Sequence, residues 1–167
     1  MKFTVAILVN NQFGVLNRVT SMFRRRQFNI TSLTVSETES EAFSRITIQS
    51  EGDEVKKQQL INQLYKLPDI VSVAELSTEE TVNRELLLIK MQNAPDTRDH
   101  VRSAIDAFEG KIVDYTKESQ TIQMVGDSRK IDNFITLMKE YGIMEIGRTG
   151  VVSLQRGAST IRKVTNF

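Results

Sequence analysis

The first part of the chain alternates between two spacings of its apolar residues. Residues 2–10 carry apolar side chains at every second position, which predicts a strand buried on at least one side. From Val15 the apolar residues recur at the i, i+3, i+4 spacing of a helix, which we expect to end near Arg26. The same reasoning predicts strands at 30–37, 42–49 and 70–76 and a helix from Asp53, its N-cap, to about Lys66.

This order of elements returns in the second part of the chain, after a short polar linker at 78–83. The repeat comprises strands at 84–92, 111–116, 120–125 and 143–154 and helices that begin at Pro95-Asp96 and at Ser128. Asp96 and Asp99 are spaced like a capping box for the first of these helices.

The predicted fold is therefore α+β, with two tandem ferredoxin-like β-α-β-β-α-β domains. The first covers residues 1–77 and the second covers 84–157, and a polar tail at 158–167 is expected to be frayed. Each domain is small, and its open sheet has exposed edges that favour pairing with another copy.

The composition excludes several classes of function. Lys and Arg number 22 against 21 Asp and Glu, so the net charge of +1 gives no support for a nucleic-acid partner. The lack of cysteine excludes disulfides, thiolate metal sites and a cysteine nucleophile. The single histidine, His100, lies on a predicted exposed helical turn, so the sequence predicts neither a metal site nor catalytic residues.

No segment of the sequence is apolar over the length that a membrane span requires. The N-terminal apolar stretch covers only 3–9 and contains Thr4, which is too short for a secretory signal. A membrane-spanning helix needs about 20 apolar residues. We therefore expect a cytoplasmic protein without membrane association.

The first strand-to-helix turn, Asn11-Gln12-Phe13-Gly14, is the most informative feature for function. A helix N-terminus presents unpaired N–H groups and a partial positive charge, which suit a carboxylate. Gly14 lets a ligand approach this backbone closely, and the Asn11 amide suits the head group of a free amino acid. On spacing alone, ordinary turn chemistry is the commoner explanation, both here and for Asn29 between a helix and a strand.

Five segments carry a resemblance to a known family. They are ILVNNQFGVLNRVTSMFRRRQFNITSLTVS at 7–36, SRITIQSEGD at 44–53, QLYKLPDIVSVAEL at 63–76, RELLLIK at 84–90 and GRTGVVSLQRG at 147–157. On these segments the chain resembles the regulatory small subunit of acetohydroxyacid synthase, also called acetolactate synthase. That family carries an N-terminal ACT domain and a C-terminal domain of related topology.

The resemblance implies a regulatory subunit that is not itself an enzyme. Such subunits bind the catalytic large subunit, raise its activity and confer feedback inhibition by a branched-chain amino acid, usually valine. The catalytic subunit would carry thiamine diphosphate, Mg²⁺ and FAD, so no cofactor is expected in this chain. The alternative is another ACT-domain regulator that senses an amino acid.

The resemblance also implies a valine site between the two chains of a homodimer. The turn of one chain would supply Asn11, Gln12, Phe13, Gly14, Val15 and Leu16. Asn29 and Ile30 of the other chain would face this turn, and Val35 would help to take the side chain of the ligand. Gln12 and Phe13 vary within the family, so their backbone is the firmer expectation.

Two functions of other classes fit the sequence less well. An acylphosphatase-like hydrolase needs an arginine in the first turn, and the chain has none before Arg18. A ligand-sensing transcription regulator needs a helix-turn-helix segment, and the sequence predicts neither such a segment nor a basic excess.

Overall fold

The structure, a computed structural model, describes residues 1–77 and 79–164, which divide into two units. The first unit comprises Met1–Val82 together with the chain from Val151 onward, and the second comprises Asn83–Gly150. Thr78 of the predicted linker and residues 165–167 of the predicted tail lie outside the described residues.

The first unit begins with the predicted order of elements. These are β1 (Lys2–Asn10), α1 (Val15–Arg25), β2 (Ile30–Glu37), β3 (Phe43–Glu51), α2 (Glu54–Leu64) and β4 (Ile70–Leu76). The strands form an antiparallel sheet in the order β2-β3-β1-β4, so β2 lies at one edge. One face of this sheet packs against both helices around a core that includes Ile7 and Phe23. Asp53 caps α2 as predicted, because its carboxylate accepts a 2.8 Å hydrogen bond from the Lys56 N–H.

The second unit repeats this topology. Its elements are β5 (Thr81–Gln92), α3 (Arg98–Ala107), β6 (Lys111–Tyr115), β7 (Ser119–Gly126), α4 (Ser128–Met138), a 3-10 turn (Lys139–Tyr141) and β8 (Ile143–Arg148). The strand order β6-β7-β5-β8 matches the order in the first unit. The prediction of two tandem ferredoxin-like folds is confirmed. Strand β5 begins at Thr81, so the last residues of the predicted linker 78–83 are strand.

The predicted cap of α3 is wrong. The helix begins at Arg98, and its N-cap is Thr97, which makes no capping hydrogen bond through its side chain. Pro95 and Asp96 lie in a turn instead, and the N–H groups of Thr97 and Arg98 both donate to the Ala94 carbonyl, at 3.3 and 3.0 Å. These backbone bonds satisfy donors that a capping carboxylate would otherwise serve.

The last predicted strand, 143–154, is interrupted. Strand β8 ends at Arg148, and a further strand, β9 (Val152–Gln155), follows a turn in which Gly150 has a left-handed φ of 80°. Thr149 Oγ1 accepts from the Leu86 N–H at 3.1 Å and donates to the Gly150 carbonyl at 2.8 Å, which fixes this turn. The second structural unit therefore ends at Gly150, whereas the sequence pattern extends the second domain to residue 157.

The segment 151–162 covers the second face of the first sheet. Its Ile161 packs in an apolar cluster with Ala6, Leu8, Ala74 and Leu76. Ser72 Oγ donates to the Ile161 carbonyl at 2.7 Å, and Arg162 pairs with Glu39 at 2.8 Å. Residues 158–162, predicted as part of a frayed tail, are thus docked on the sheet. The physical reason is that β1 is apolar at consecutive positions and therefore has two faces to bury.

Candidate functional site

The turn between β1 and α1 leaves the start of the helix open. Gly14 is the N-cap residue, with φ 82° and ψ −2°, a left-handed conformation that favours glycine. It makes no capping hydrogen bond through a side chain, and the first helical turn has no acidic residue. The Val15 N–H lies 3.4 Å from the Gln12 carbonyl, near the long limit for a hydrogen bond. The helix start therefore keeps its capacity to receive an anion.

A cation that the sequence analysis did not assign to the site lies beside this turn. Arg18 Nη1 is 3.4 Å from the position that a Cβ on Gly14 would occupy. The Arg18 guanidinium is held in place by Asp69, whose Oδ2 accepts from Arg18 Nε at 2.6 Å. The sequence signal for this proximity is the i, i+4 spacing of Gly14 and Arg18, which places the two residues one helical turn apart. Arg18 adds positive charge where a carboxylate would bind.

Asn11 connects the turn to the hairpin between β2 and β3. Its Nδ2 donates to Glu37 Oε1 at 3.2 Å and to the Glu41 carbonyl at 3.0 Å, and its Oδ1 accepts from Ser44 Oγ at 3.1 Å. The Asn11 N–H also donates to the Ala42 carbonyl at 2.8 Å. In this structure the Asn11 side chain thus positions the turn, and its contact with a ligand stays a prediction.

The other predicted residues of the turn differ in exposure. Gln12 and Phe13 are exposed, and Phe13 is fully so. Val15 is buried in the core, so only its backbone is available to a ligand, whereas Leu16 is 40% exposed. The exposed side chain of Leu16 and several backbone N–H donors thus lie together at the start of the helix.

Asn29 and Ile30 lie at the opposite end of the same sheet. Ile30 pairs with Ser50, which also pairs with Phe3 near the start of β1, whereas the turn follows Asn10 at the end of β1. At about 3.3 Å per residue, the two ends of β1 are more than roughly 20 Å apart. The Asn29 side chain is exposed, and its carbonyl accepts from Ser50 Oγ at 2.6 Å. One chain alone therefore does not bring together the two halves of the predicted site.

The part of the chain that the structure describes offers neither a metal site nor a membrane-spanning helix. Within 1–77 and 79–164, no group of three or more His, Asp or Glu residues is placed to hold a metal ion. No helix of these residues is long and apolar enough to cross a membrane. His100 is exposed and stacks on Tyr141, with 6.4 Å between the ring centroids.

Comparison with known proteins gives matches along nearly the whole chain. A family model described as the small subunit of acetolactate synthase matches residues 84–157, and one described as an AHAS small subunit-like ACT domain matches residues 5–72. A probable acetolactate synthase small subunit of Archaeoglobus fulgidus is 46% identical over 157 residues, which cover 94% of this chain and 98% of that protein.

Two further relatives agree with these matches. The acetolactate synthase isozyme 3 small subunit of Escherichia coli is 39% identical over 163 residues, which cover 97% of this chain and 100% of that protein. The crystal structure of the acetolactate synthase small subunit from Thermotoga maritima matches with a TM-score of 0.87 at 35% identity. That match covers 95% of this chain and 99% of the other.

Proposed function

Because the chain belongs to the family of acetolactate synthase small subunits, we propose that it is the regulatory, non-catalytic partner of the large subunit of that enzyme. It binds the catalytic chain, raises its activity and makes it sensitive to feedback by valine or a related branched-chain amino acid. The catalytic chain carries thiamine diphosphate, Mg²⁺ and FAD. Family membership supports the regulatory role, and the open helix start at Gly14 supports the effector.

The main support for an effector site shared by two chains is that its two halves, the turn at Gly14 and the segment Asn29-Ile30, lie at opposite ends of the sheet of one chain. Among the described residues β2 pairs with β3 alone, so the other edge of its backbone is open to a further strand. When β2 of a second copy pairs antiparallel with this edge, Ile30 of that copy lies near Glu37 of the first. Glu37 contacts Asn11, so this arrangement unites the two halves. A two-fold dimer then contains two identical sites.

The chemistry of such a composite site fits an α-amino acid with a small apolar side chain. The N–H groups at the start of α1, together with Arg18, receive the carboxylate. Asn29 of the second copy supplies an amide oxygen for the ammonium group. Leu16 of one copy and Ile30 of the other contact the aliphatic side chain. One methylene is worth only about 1–3 kcal/mol in such a pocket, so valine, leucine and isoleucine all bind, with graded affinity.

The function is tested with the catalytic subunit of the same organism. We expect that adding this chain raises acetolactate formation and that valine then lowers it, while the catalytic subunit alone responds weakly to valine. Calorimetric titration of the isolated chain with valine, leucine and isoleucine should give one site per chain. If none of the three binds at millimolar concentration and activity is unchanged, the proposed regulatory role is wrong.

The dimer gives a second prediction. We expect a mass twice the 19.0 kDa of one chain in light scattering, and a shift toward monomer for Val35→Glu. Val35 is 41% exposed near the middle of the β2 edge, so the substitution brings two carboxylates together across the two-fold axis. The matched control is Val55→Glu on α2, where valine is also exposed but lies away from this edge. Equal dimerisation by both variants would contradict pairing through β2.

A further inference from the structure

A cavity of about 600 Å³ lies in the first unit, on the sheet face opposite α1 and α2. Strands β1, β2 and β3 supply Leu8, Ser36 and Arg45 to its lining, and in the strand register Leu8 and Ser36 each pair with Arg45. The C-terminal segment supplies the facing side, including Leu154 and Ile161. A volume of several hundred Å³ is typical of a small-molecule site. The lining combines the apolar side chains of Leu8, Leu154 and Ile161 with polar and charged ones, among them Glu37 and Glu39.

Arg45 is the unusual group in this cavity. Its Nη2 donates to the Ser153 carbonyl at 2.7 Å, but its Nε is buried without a hydrogen-bond partner. No carboxylate among the described residues forms an ion pair with it, in contrast to Arg162 at the same cavity, which pairs with Glu39. Burial lowers the pKa of the Arg45 guanidinium below its ordinary value. Glu37 also lines the cavity, but its carboxylate accepts from Asn11 Nδ2. Arg45 is therefore a half-buried cation that forms no ion pair, and an anion in the cavity would supply one.

Gln155 adds a second unpaired group to the same cavity. Its Oε1 is buried and has no hydrogen-bond partner. Few buried polar groups in proteins lack a partner, so the cavity offers a ligand one free donor, Arg45 Nε, and one free acceptor, Gln155 Oε1. The apolar side chains of Leu8, Leu154 and Ile161 leave room beside them for a hydrocarbon body.

We propose that this cavity is a binding site for a small organic carboxylate, whose carboxylate pairs with Arg45 and whose apolar body lies against Leu8, Leu154 and Ile161. Gln155 Oε1 accepts a hydrogen bond from a hydroxyl or another donor group of the ligand. The site is separate from the turn at Gly14, although Glu37, which contacts Asn11, also lines the cavity. It lies within one chain, whereas the proposed effector site needs two chains.

The probe for this site is isovalerate, a branched carboxylate without an ammonium group, compared with isovaleramide, its uncharged isostere. The full chain is labelled with ¹⁵N-arginine, and the Nε–H resonance of Arg45 is followed during titration. We expect a saturable shift with isovalerate and none with isovaleramide, because the amide cannot supply the missing charge. An equal response to both probes, or no saturable shift at millimolar concentration, would overturn the proposal.

Variants separate this site from the effector site. Arg45→Gln should weaken isovalerate binding by at least about ten-fold, as the loss of a charged hydrogen-bond partner implies. The matched control Arg24→Gln removes an exposed arginine of α1 and should leave the affinity unchanged. Gly14→Asp should also leave the isovalerate-induced shift of the Arg45 Nε–H resonance unchanged. The failure of this carboxylate site is therefore distinguishable from the failure of the proposed valine site. Displacement of isovalerate by equimolar sulfate would mean a general anion site and would overturn the proposed ligand class.

Discussion

Gly14→Asp is expected to abolish the response to valine while the subunit still activates the catalytic chain. The aspartate carboxylate would lie at the start of α1, where the ligand carboxylate is proposed to bind, and two like charges would then share one set of N–H donors. At about 4 Å, their repulsion ranges from about 1 kcal/mol in water to about 4 kcal/mol near a protein surface. Valine affinity measured by calorimetry should therefore fall at least about five-fold.

Gly14→Asn is the matched control for this prediction. Asparagine and aspartate have nearly the same shape, and both tolerate the left-handed backbone that Gly14 adopts better than other side chains do. A Cβ at this position would lie 3.4 Å from Arg18 Nη1, an ordinary van der Waals contact. The difference between the two variants thus isolates the charge. If Gly14→Asp and Gly14→Asn weaken valine binding equally, the carboxylate of valine does not bind at this helix start.

A mixing experiment tests whether two chains share each site. Asn29→His should also remove valine binding, because it alters the half that the second copy supplies. In a heterodimer of Gly14→Asp and Asn29→His chains, one site carries both substitutions and the other carries neither. We expect the purified heterodimer to regain one valine site per dimer, although each homodimer has lost both. A heterodimer that binds no valine would place both halves in the same chain.

Arg148→Met, in the second unit, is expected to lower the free energy of unfolding more than the other substitutions proposed above. Glu85 is almost completely buried, and Arg148 donates to its Oε2 from Nε at 3.0 Å and from Nη2 at 2.6 Å. Ser128 Oγ also bonds Glu85, and Arg148 Nη1 donates to Asp132 at 2.8 Å. Burial disfavours the Arg148 cation, but the hydrogen bonds with Glu85 and Asp132 outweigh it and raise the pKa of Arg148 above its ordinary value.

Removing this guanidinium leaves a buried carboxylate without its counter-charge. Such a change costs about 3–5 kcal/mol, and the lower end is expected because Arg148 is one-third exposed. Urea denaturation should show the loss, and the double variant Glu85→Gln with Arg148→Met should recover much of it. Lys130→Met is the control, because the Lys130–Glu109 pair at 2.8 Å involves a carboxylate that is largely exposed. Similar losses for Arg148→Met and Lys130→Met would contradict this account.

The regular elements of both units follow from the sequence because their signals are local. Strands β1, β2 and β4 have the predicted bounds, since each apolar run ends at turn residues. Met22, Met91, Met124 and Met138, which the spacing places on inner faces, are all buried. The two units share a strand order because the same succession of periods occurs twice.

The surroundings of the candidate site could not be predicted in the same way. Asn11 bonds to Glu37 and Glu41, and Arg18 bonds to Asp69, over separations of 26 to 51 residues. Local spacing carries no signal for such contacts, because they depend on how the hairpin and β4 meet the first turn. Spacing therefore predicts where the turn lies but not which side chains hold it.

The docking of the C-terminal segment on the first sheet was also not predicted, although the sequence contains a signal for it. Strand β1 is apolar at the consecutive positions 5–9, and a strand of this type has both faces buried. Two helices account for one face only. The covering element for the other face is the segment 151–162, which contributes Ile161 to the apolar cluster, and periodicity alone does not single out that residue.

The first unit is discontinuous in sequence, and this affects the order of its completion on the ribosome. Strands β1 to β4 are synthesised first, but the segment that covers their second face follows only after the roughly 70 residues of the second unit. Ile161 follows Leu76 by 85 residues, so at about 5–20 residues per second the apolar positions Ala6, Leu8, Ala74 and Leu76 stay uncovered for roughly 4–17 s after Leu76 is added. During that interval the nascent sheet presents an apolar surface to chaperones, and a chain that terminates before Val151 keeps that surface for its lifetime.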